Sequence, residues 1–170
     1  AAGLGERTEL EADDVGFALG PRLNASGRMA HARQAVELLL GADPARCREI
    51  AAHLCRLNEE RQEVERGILE QATEMVISHK LDAEGSPAIV LGGEGWHSGV
   101  IGIVAGRLAE RFGRPTVLVC LRGEAIAHGS CRSVEGFDMR EALAACAEHL
   151  AGFGGHAMAG GLRIEPGRLD

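Results

Sequence analysis

A run of four glycines around one histidine, residues 154–161, is the part of the sequence best suited to chemistry. Glycine lets a backbone approach a ligand closely and adopt positive φ values. Successive peptide N–H groups beside the His156 imidazole are suited to cradling a phosphate or a carboxylate. The alternative interpretation is a glycine-rich turn that leads into a short strand at 162–164.

A second candidate is the segment 127–133, where Ser130, Arg132 and Ser133 place two hydroxyls and a guanidinium within four positions. Such groups form strong, directional hydrogen bonds with phosphate oxygens. The alternative is a solvated arginine in a turn.

A third segment, 92–99, is expected to join a strand to a helix, and glycines beside a helix N-terminus favour anion binding. The segment matches neither the dinucleotide-binding fingerprint nor a P-loop. The alternative is structural, with Ser98 capping the helix and Trp96 in the core.

The sequence does not contain a complete set of catalytic groups. Two-metal phosphoester hydrolysis needs clustered carboxylates and histidines, whereas the aspartates here occur in no D-x-D or D-H-H arrangement. The five cysteines form no C-x-x-C pair, which is typical of scattered reduced thiols in a cytoplasmic protein.

Length and composition indicate a soluble protein of one domain, or of one small domain with an appendage. The chain has 170 residues, 45% of them hydrophobic, and no apolar run approaches the roughly 18 residues of a membrane span. The net charge of −7 argues against broad adhesion to nucleic acid but allows a local basic site. With one Trp and no Tyr, contacts should involve phosphates more than bases.

The first half of the chain is expected to be helical. Gly-Pro and Ser-Gly breakers predict a structured loop over 15–28, followed by a short helix at 31–40 that ends at Gly41. Asp43 and Pro44 predict the start of a long helix that continues to Lys80. At this length it is more typical of a connection between two lobes than of packing within one.

The second half alternates between strand and helix patterns, which predicts an α/β layer with a mixed sheet. The expected strands are 88–91, 115–121, 125–130 and 162–164. The expected helices are 100–111, stopped by Gly113, and 138–151, capped by Asp138.

Four sequence blocks together resemble the RecJ family of single-strand-specific 5′→3′ DNA exonucleases, within the DHH/DHHA1 phosphoesterase superfamily. The blocks are 20–28, 93–105, 129–133 and 154–161, and their order and spacing also fit, over about residues 15–165. The chain departs from the family pattern at Cys131, where the family usually has glycine. A cysteine there is expected to alter the local turn.

The resemblance implies a fragment in three parts: the tail of a DHH domain at 1–41, a connecting helix at 42–84 and a mixed-sheet DHHA1 domain at 85–170. It also implies that Mn²⁺ or Mg²⁺ is bound by a DHH domain upstream of Ala1, so no cofactor is expected here. The fragment alone is then expected to bind a DNA end without hydrolysing it.

The same resemblance assigns roles to particular residues. His156 is the candidate catalytic residue, as a contact to the scissile or neighbouring phosphate rather than a metal ligand. The implied phosphate-binding residues are Arg22, Arg28, Ser130, Arg132, Gly154 and Gly155. The implied partners are single-stranded DNA, a single-strand-binding protein and a helicase, in the cytoplasm and without a membrane.

Three alternative functions stay open on the sequence. The first is a nano-RNase or cyclic-dinucleotide phosphodiesterase of the same superfamily. The second is a non-catalytic RNA-binding DHHA1 domain like that of alanyl-tRNA synthetases, against which the arginine-bearing segment 20–28 argues. The last is a purely structural α/β module.

Overall fold

The computed structural model describes residues 9–41 and 43–169. These residues divide into two compact units, and the division, between Val64 and Glu65, falls inside the longest described helix. Each unit has its own buried apolar residues. No helix among the described residues is both long and apolar enough to cross a membrane.

In the described part of the first unit all regular secondary structure is helical, which corrects the expected loop over 15–28. A π-helical segment, Asp14–Leu19, continues directly into helix α1, Gly20–Met29. Pro21 falls at the junction between the π-helical segment and α1, and the residues on both sides of it are helical. The Gly-Pro pair therefore lies within a continuous helical segment and does not break it.

The next two helices lie close to their expected positions. Helix α2 covers Arg33–Leu39, and Gly41 follows it with φ 81°, the left-handed conformation favoured after a helix. Helix α3 covers Pro44–Ser78, and the Asp43 carboxylate accepts from the Ala45 and Arg46 amides at 3.0 and 3.2 Å. At 1.5 Å per residue this helix is about 52 Å long.

The second unit is a five-stranded mixed sheet in the order β1-β2-β3-β5-β4. The strands are β1 (Ile89–Glu94), β2 (Thr116–Leu121), β3 (Ala127–Arg132), β4 (Gly152–His156) and β5 (Ala159–Ile164). Strands β1 and β2 are parallel and the other neighbours are antiparallel. The mixed α/β fold and the long preceding helix are confirmed.

Two helices cover opposite faces of this sheet. Helix α4, Ile101–Phe112, packs over β2 and β3 and ends at Gly113, as expected. Helix α5, Met139–Ala145, packs on the other face, where Leu143 joins Val119, Cys131 and Leu162 in a buried cluster. Among the described elements of this unit, no helix packs extensively on the face of β4 and β5 opposite α5.

The expected helix 138–151 is too long. Asp138 does cap α5, accepting from the Glu141 amide at 3.0 Å, but α5 gives way to a 3₁₀ turn at Ala147–His149. The Ala151 amide then donates to Arg163 O at 2.8 Å. The helix therefore ends early because the chain pairs with β5 from Ala151 onward and forms β4. The sequence pattern did not indicate this strand.

Candidate nucleic-acid interface

Ser130 and Arg132 lie side by side on the face of β3 that contacts α4. Residues two apart in a strand share a face, and the Arg132 guanidinium donates to Cys131 O at 2.7 Å and to Ser130 Oγ at 3.3 Å. Both side chains are half-buried. The two groups with the best phosphate chemistry in the segment are therefore adjacent.

Cys131 lies in a regular strand and not in a turn, contrary to the expectation. It pairs with Gly160 and Val117 and is fully buried on the α5 face. Burial raises the pKa of its thiol, so it remains protonated near neutral pH. The cysteine therefore leaves the opposite face, with Arg132, unchanged.

Two glycines of α4 make room for these side chains. A Cβ added to Gly102 would lie 2.8 Å from Ser130 Oγ and 3.1 Å from Arg132 Nη2. A Cβ added to Gly106 would lie 3.8 Å from Arg132 Cγ, an ordinary contact. Sequence reasoning assigned no role to Gly102, although the G-x-x-x-G spacing with Gly106 in a helix was a signal for close packing.

The glycine-rich run forms most of a β-hairpin, in which Ala157 and Met158 are the turn. In the sheet, Arg132 pairs with Ala159 and Ala159 with His156. Residues paired in register point to the same face. Arg132 and His156 therefore share a face with their Cα atoms about 10 Å apart, two strand spacings.

The glycines of the hairpin fall into two groups. Gly154 shares the Arg132 face, is exposed, and a Cβ there would meet nothing within 4 Å. Gly155 faces the other way with φ 146°, and its Cβ would overlap Ala159 O and Gly160 Cα. The fold therefore requires glycine at 155, whereas Gly154 leaves open backbone beside His156.

The hairpin tip is attached to the rest of the unit. The Ser133 amide donates to Met158 O and the Met139 amide to Ala157 O, both at 2.9 Å. His156 Nδ1 accepts from the Met158 amide at 3.3 Å. The neutral imidazole then carries its proton on Nε2, which can donate to a phosphate oxygen.

In the segment 92–99, Trp96 lies in the core, as the structural alternative predicted. This side chain is 1% exposed, covers Gly93 and donates to Gln71 Oε1 at 2.6 Å. The other part of that alternative, Ser98 as the helix cap, is wrong, since the N-cap residue of α4 is Val100 and no side-chain cap hydrogen bond is made there. Instead His97 Nδ1 accepts from the Gly99 amide at 3.1 Å, and burial, then the charge of Arg122, lowers the His97 pKa.

The two arginines of the first unit project from α1 in different directions. Arg22 and Arg28 both lie on α1, where six residues place side chains about 120° apart around the axis. The Arg22 guanidinium donates to Ala18 O in the preceding turn at 2.6 Å. Their role as phosphate contacts stays a prediction.

Within residues 9–41 and 43–169, no group of three or more His, Cys, Asp or Glu side chains is placed to hold a metal ion. The second unit places Ser130, Arg132 and His156 on one glycine-rich sheet face, which makes this face the candidate anion site.

The family model for the DHHA1 domain matches residues 85–170. The chain belongs to the DHHA1 domain family. The match includes the whole sheet and the residues that form its open face, so the candidate interface lies within the DHHA1 domain.

The curated relatives of the chain are single-stranded-DNA-specific exonucleases named RecJ. The protein from Bacillus subtilis is 43% identical over 162 residues, covering 95% of this chain and 20% of the relative. That from Escherichia coli is 42% identical over 166 residues, covering 92% and 28%. The chain thus spans less than a third of the length of these relatives.

Solved RecJ structures match the fold. RecJ from Thermus thermophilus in complex with Mg²⁺ gives a TM-score of 0.76 at 32% identity, covering 94% of this chain and 25% of that protein. An exonuclease RecJ bound to manganese gives 0.75 at 34% identity, covering 94% and 38%. The RecJ resemblance therefore extends from sequence blocks to the arrangement of helices and strands.

Proposed function

We propose that this chain is part of a RecJ-like 5′→3′ single-stranded DNA exonuclease and that its DHHA1 domain binds the DNA end. The observation that carries the proposal is the shared sheet face of Ser130, Arg132 and His156. The RecJ relatives, which are named for single-stranded DNA, supply the substrate class.

The chemistry of the face suits a terminal phosphate. Arg132 presents a planar fork of N–H donors, which matches two phosphate oxygens, and the Ser130 hydroxyl adds a third donor. His156 donates from Nε2 to the neighbouring phosphate across the open backbone of Gly154. These contacts fix the position of the strand without reading its sequence.

In the proposed enzyme, the metal ions are bound by residues other than those that the structure describes. RecJ structures hold Mg²⁺ or Mn²⁺, which in phosphodiester hydrolysis activates water and stabilises charge. The DHHA1 domain would position the phosphates for that step. A cytoplasmic role in DNA repair and recombination, with a single-strand-binding protein and a helicase as partners, belongs to the same proposal.

The test measures binding of 3′-labelled oligodeoxythymidylate with a 5′-phosphate or a 5′-hydroxyl, by fluorescence anisotropy. Hydrogen bonds to charged groups contribute about 1.5–3 kcal/mol. Arg132→Ala should therefore reduce affinity for the phosphorylated end roughly ten- to hundredfold, and affinity for the hydroxyl end much less.

The matched control is Arg140→Ala. Arg140 is exposed on α5, against the opposite face of the sheet, and its loss removes the same charge. Equal losses in the two variants, or no preference of the unsubstituted chain for a 5′-phosphate, would contradict the proposed end-binding role.

A further inference from the structure

A second pair of basic side chains lies on the same sheet face as Arg132. His128 pairs with Arg163, and Arg163 with Gly152, so this row crosses the same three strands as the row of Arg132, Ala159 and His156. The two rows are four residues apart along β3, or about 13 Å. They lie at opposite ends of one surface.

The surface between the rows is open backbone. Between them lies the row of Ser130, Gly161 and Gly154, and two of its three members lack a side chain. Next to it, a shallow depression of about 330 Å³ is lined by His128, Arg163, the three glycines beside them, Phe153 and Leu162. The depression continues the surface that begins at Arg132.

Arg163 is exposed, and among the described residues no hydrogen bond or ion pair involves its guanidinium. A Cβ added to Gly152 would lie 2.8 Å from Arg163 Nη2. The guanidinium therefore lies across the backbone of Gly152 on the edge strand, with its donors at the margin of the depression. In a chain of net charge −7, this cation has no carboxylate in contact with it in the described part.

We infer that Arg163 and His128 form a second phosphate subsite, which binds a backbone phosphodiester of the same single strand whose terminal phosphate lies at Arg132 and Ser130. The inference rests on the proposed function. The occupant is a phosphodiester backbone because the face offers cationic donors at both ends. Phe153 borders the depression, but it pairs with Leu162 on the opposite side of the sheet, so it is not placed between the two rows for base stacking. The separation of the rows suits a strand that extends beyond its terminal nucleotide.

The test compares a long 5′-phosphorylated oligodeoxythymidylate with thymidine 5′-monophosphate, at several salt concentrations. Each phosphate contact on a single strand contributes about 0.7 to the slope of log affinity against log salt. Arg163→Ala should weaken binding of the long strand roughly three- to tenfold and lower the slope by about that amount. Binding of the mononucleotide should not change.

Two controls separate a phosphate contact from a structural role. Arg163→Lys keeps the charge and should restore the salt slope, whereas a variant with a disrupted sheet would lose both ligands and unfold at lower temperature. Arg140→Ala should leave both ligands unaffected.

The outcomes also separate this inference from the proposed function. One outcome is that Arg132→Ala weakens binding of the phosphorylated end while Arg163→Ala binds the long strand as well as Arg140→Ala does. In that outcome the second subsite is wrong and the proposed end-binding site is retained. If neither arginine matters, the proposed function fails as well. Equal competition by polyglutamate and by oligodeoxythymidylate would overturn the assignment to a phosphodiester.

Discussion

At the scale of single residues, Gly102 of α4 decides how closely the helix can approach Ser130 and Arg132. These two side chains occupy the space that a methyl group at position 102 would need. Gly106, one turn further along the same helix, leaves ordinary room. Substituting alanine for either glycine makes the same chemical change in the same helix, but only the substitution at Gly102 should disturb Ser130 and Arg132.

We predict that Gly102→Ala and Gly106→Ala differ in binding more than in helix stability. Each replaces glycine by alanine in α4, which favours the helix by about 1 kcal/mol in its interior, where Gly106 lies, and by less at Gly102 in the first turn. Gly106→Ala should raise the melting temperature and leave end binding intact. Gly102→Ala should displace Ser130 and Arg132 and lower the preference for a 5′-phosphate severalfold, measured by anisotropy beside thermal unfolding. Identical binding by both variants would remove the positioning role of Gly102.

The adjacency of Ser130 and Arg132 follows from their spacing of two residues in a strand, and the structure has them in contact. Their phosphate-binding role, which their residue types indicate, stays a prediction. Gly102 was not assigned because its role depends on how α4 docks on β3. The sequence pattern placed Arg22 and Arg28 in one loop. Both lie instead on helix α1, which separates their side chains around its axis.

At the scale of elements, the β4–β5 hairpin was the least predictable feature. Strands are usually indicated by alternating β-branched and aromatic residues, and β4 has the sequence Gly-Phe-Gly-Gly-His. Its strand conformation is imposed by pairing with β5 and not by local preference. The capped helices α3 and α5, whose start signals are local, could be located from the sequence at their first residues.

We predict that the two central glycines of this hairpin separate folding from binding. Gly155→Ala places a side chain at a positive φ that favours glycine, and its methyl group would overlap the carbonyl oxygen of Ala159. The substitution should therefore destabilise the DHHA1 domain by about 1–3 kcal/mol. Gly154→Ala meets nothing within 4 Å and should leave the unfolding transition nearly unchanged. Its methyl group should instead reduce DNA affinity, because it stands on the open backbone.

Urea unfolding followed by circular dichroism measures the first effect, and anisotropy with single-stranded DNA measures the second. The interpretation of the open face would be wrong if Gly154→Ala bound DNA as well as the unsubstituted chain. A large stability loss in Gly154→Ala would show instead that the glycine serves packing.

At the scale of the whole molecule, charge and composition gave less information than the arrangement of residues. A net charge of −7 does not indicate a nucleic-acid-binding protein, but the sheet collects Arg132, His156, Arg163 and His128 on one face. Strand register, which pairs residues far apart in the sequence, produces this local concentration of donors. The net charge does not reveal it, because it does not depend on where the charged residues lie.

The division of labour within the proposed enzyme leads to a prediction for the 170-residue chain itself. Hydrolysis needs an activated water, and in the RecJ structures Mg²⁺ or Mn²⁺ is bound. The described residues of this chain include no cluster of metal-ligating side chains. We therefore expect the purified chain to bind 5′-phosphorylated single-stranded DNA but not to shorten it, with or without added Mn²⁺.

Gel analysis of 3′-labelled DNA, incubated with Mn²⁺ or with EDTA, measures this prediction. Arg132→Ala serves as the control for contaminating nucleases, since a contaminant would be equally active in that preparation. Digestion that requires Mn²⁺ and disappears in Arg132→Ala would mean that the chain holds its own metal. The phosphate-binding face would then belong to a complete active site, and the assignment of metal binding to other residues would be wrong.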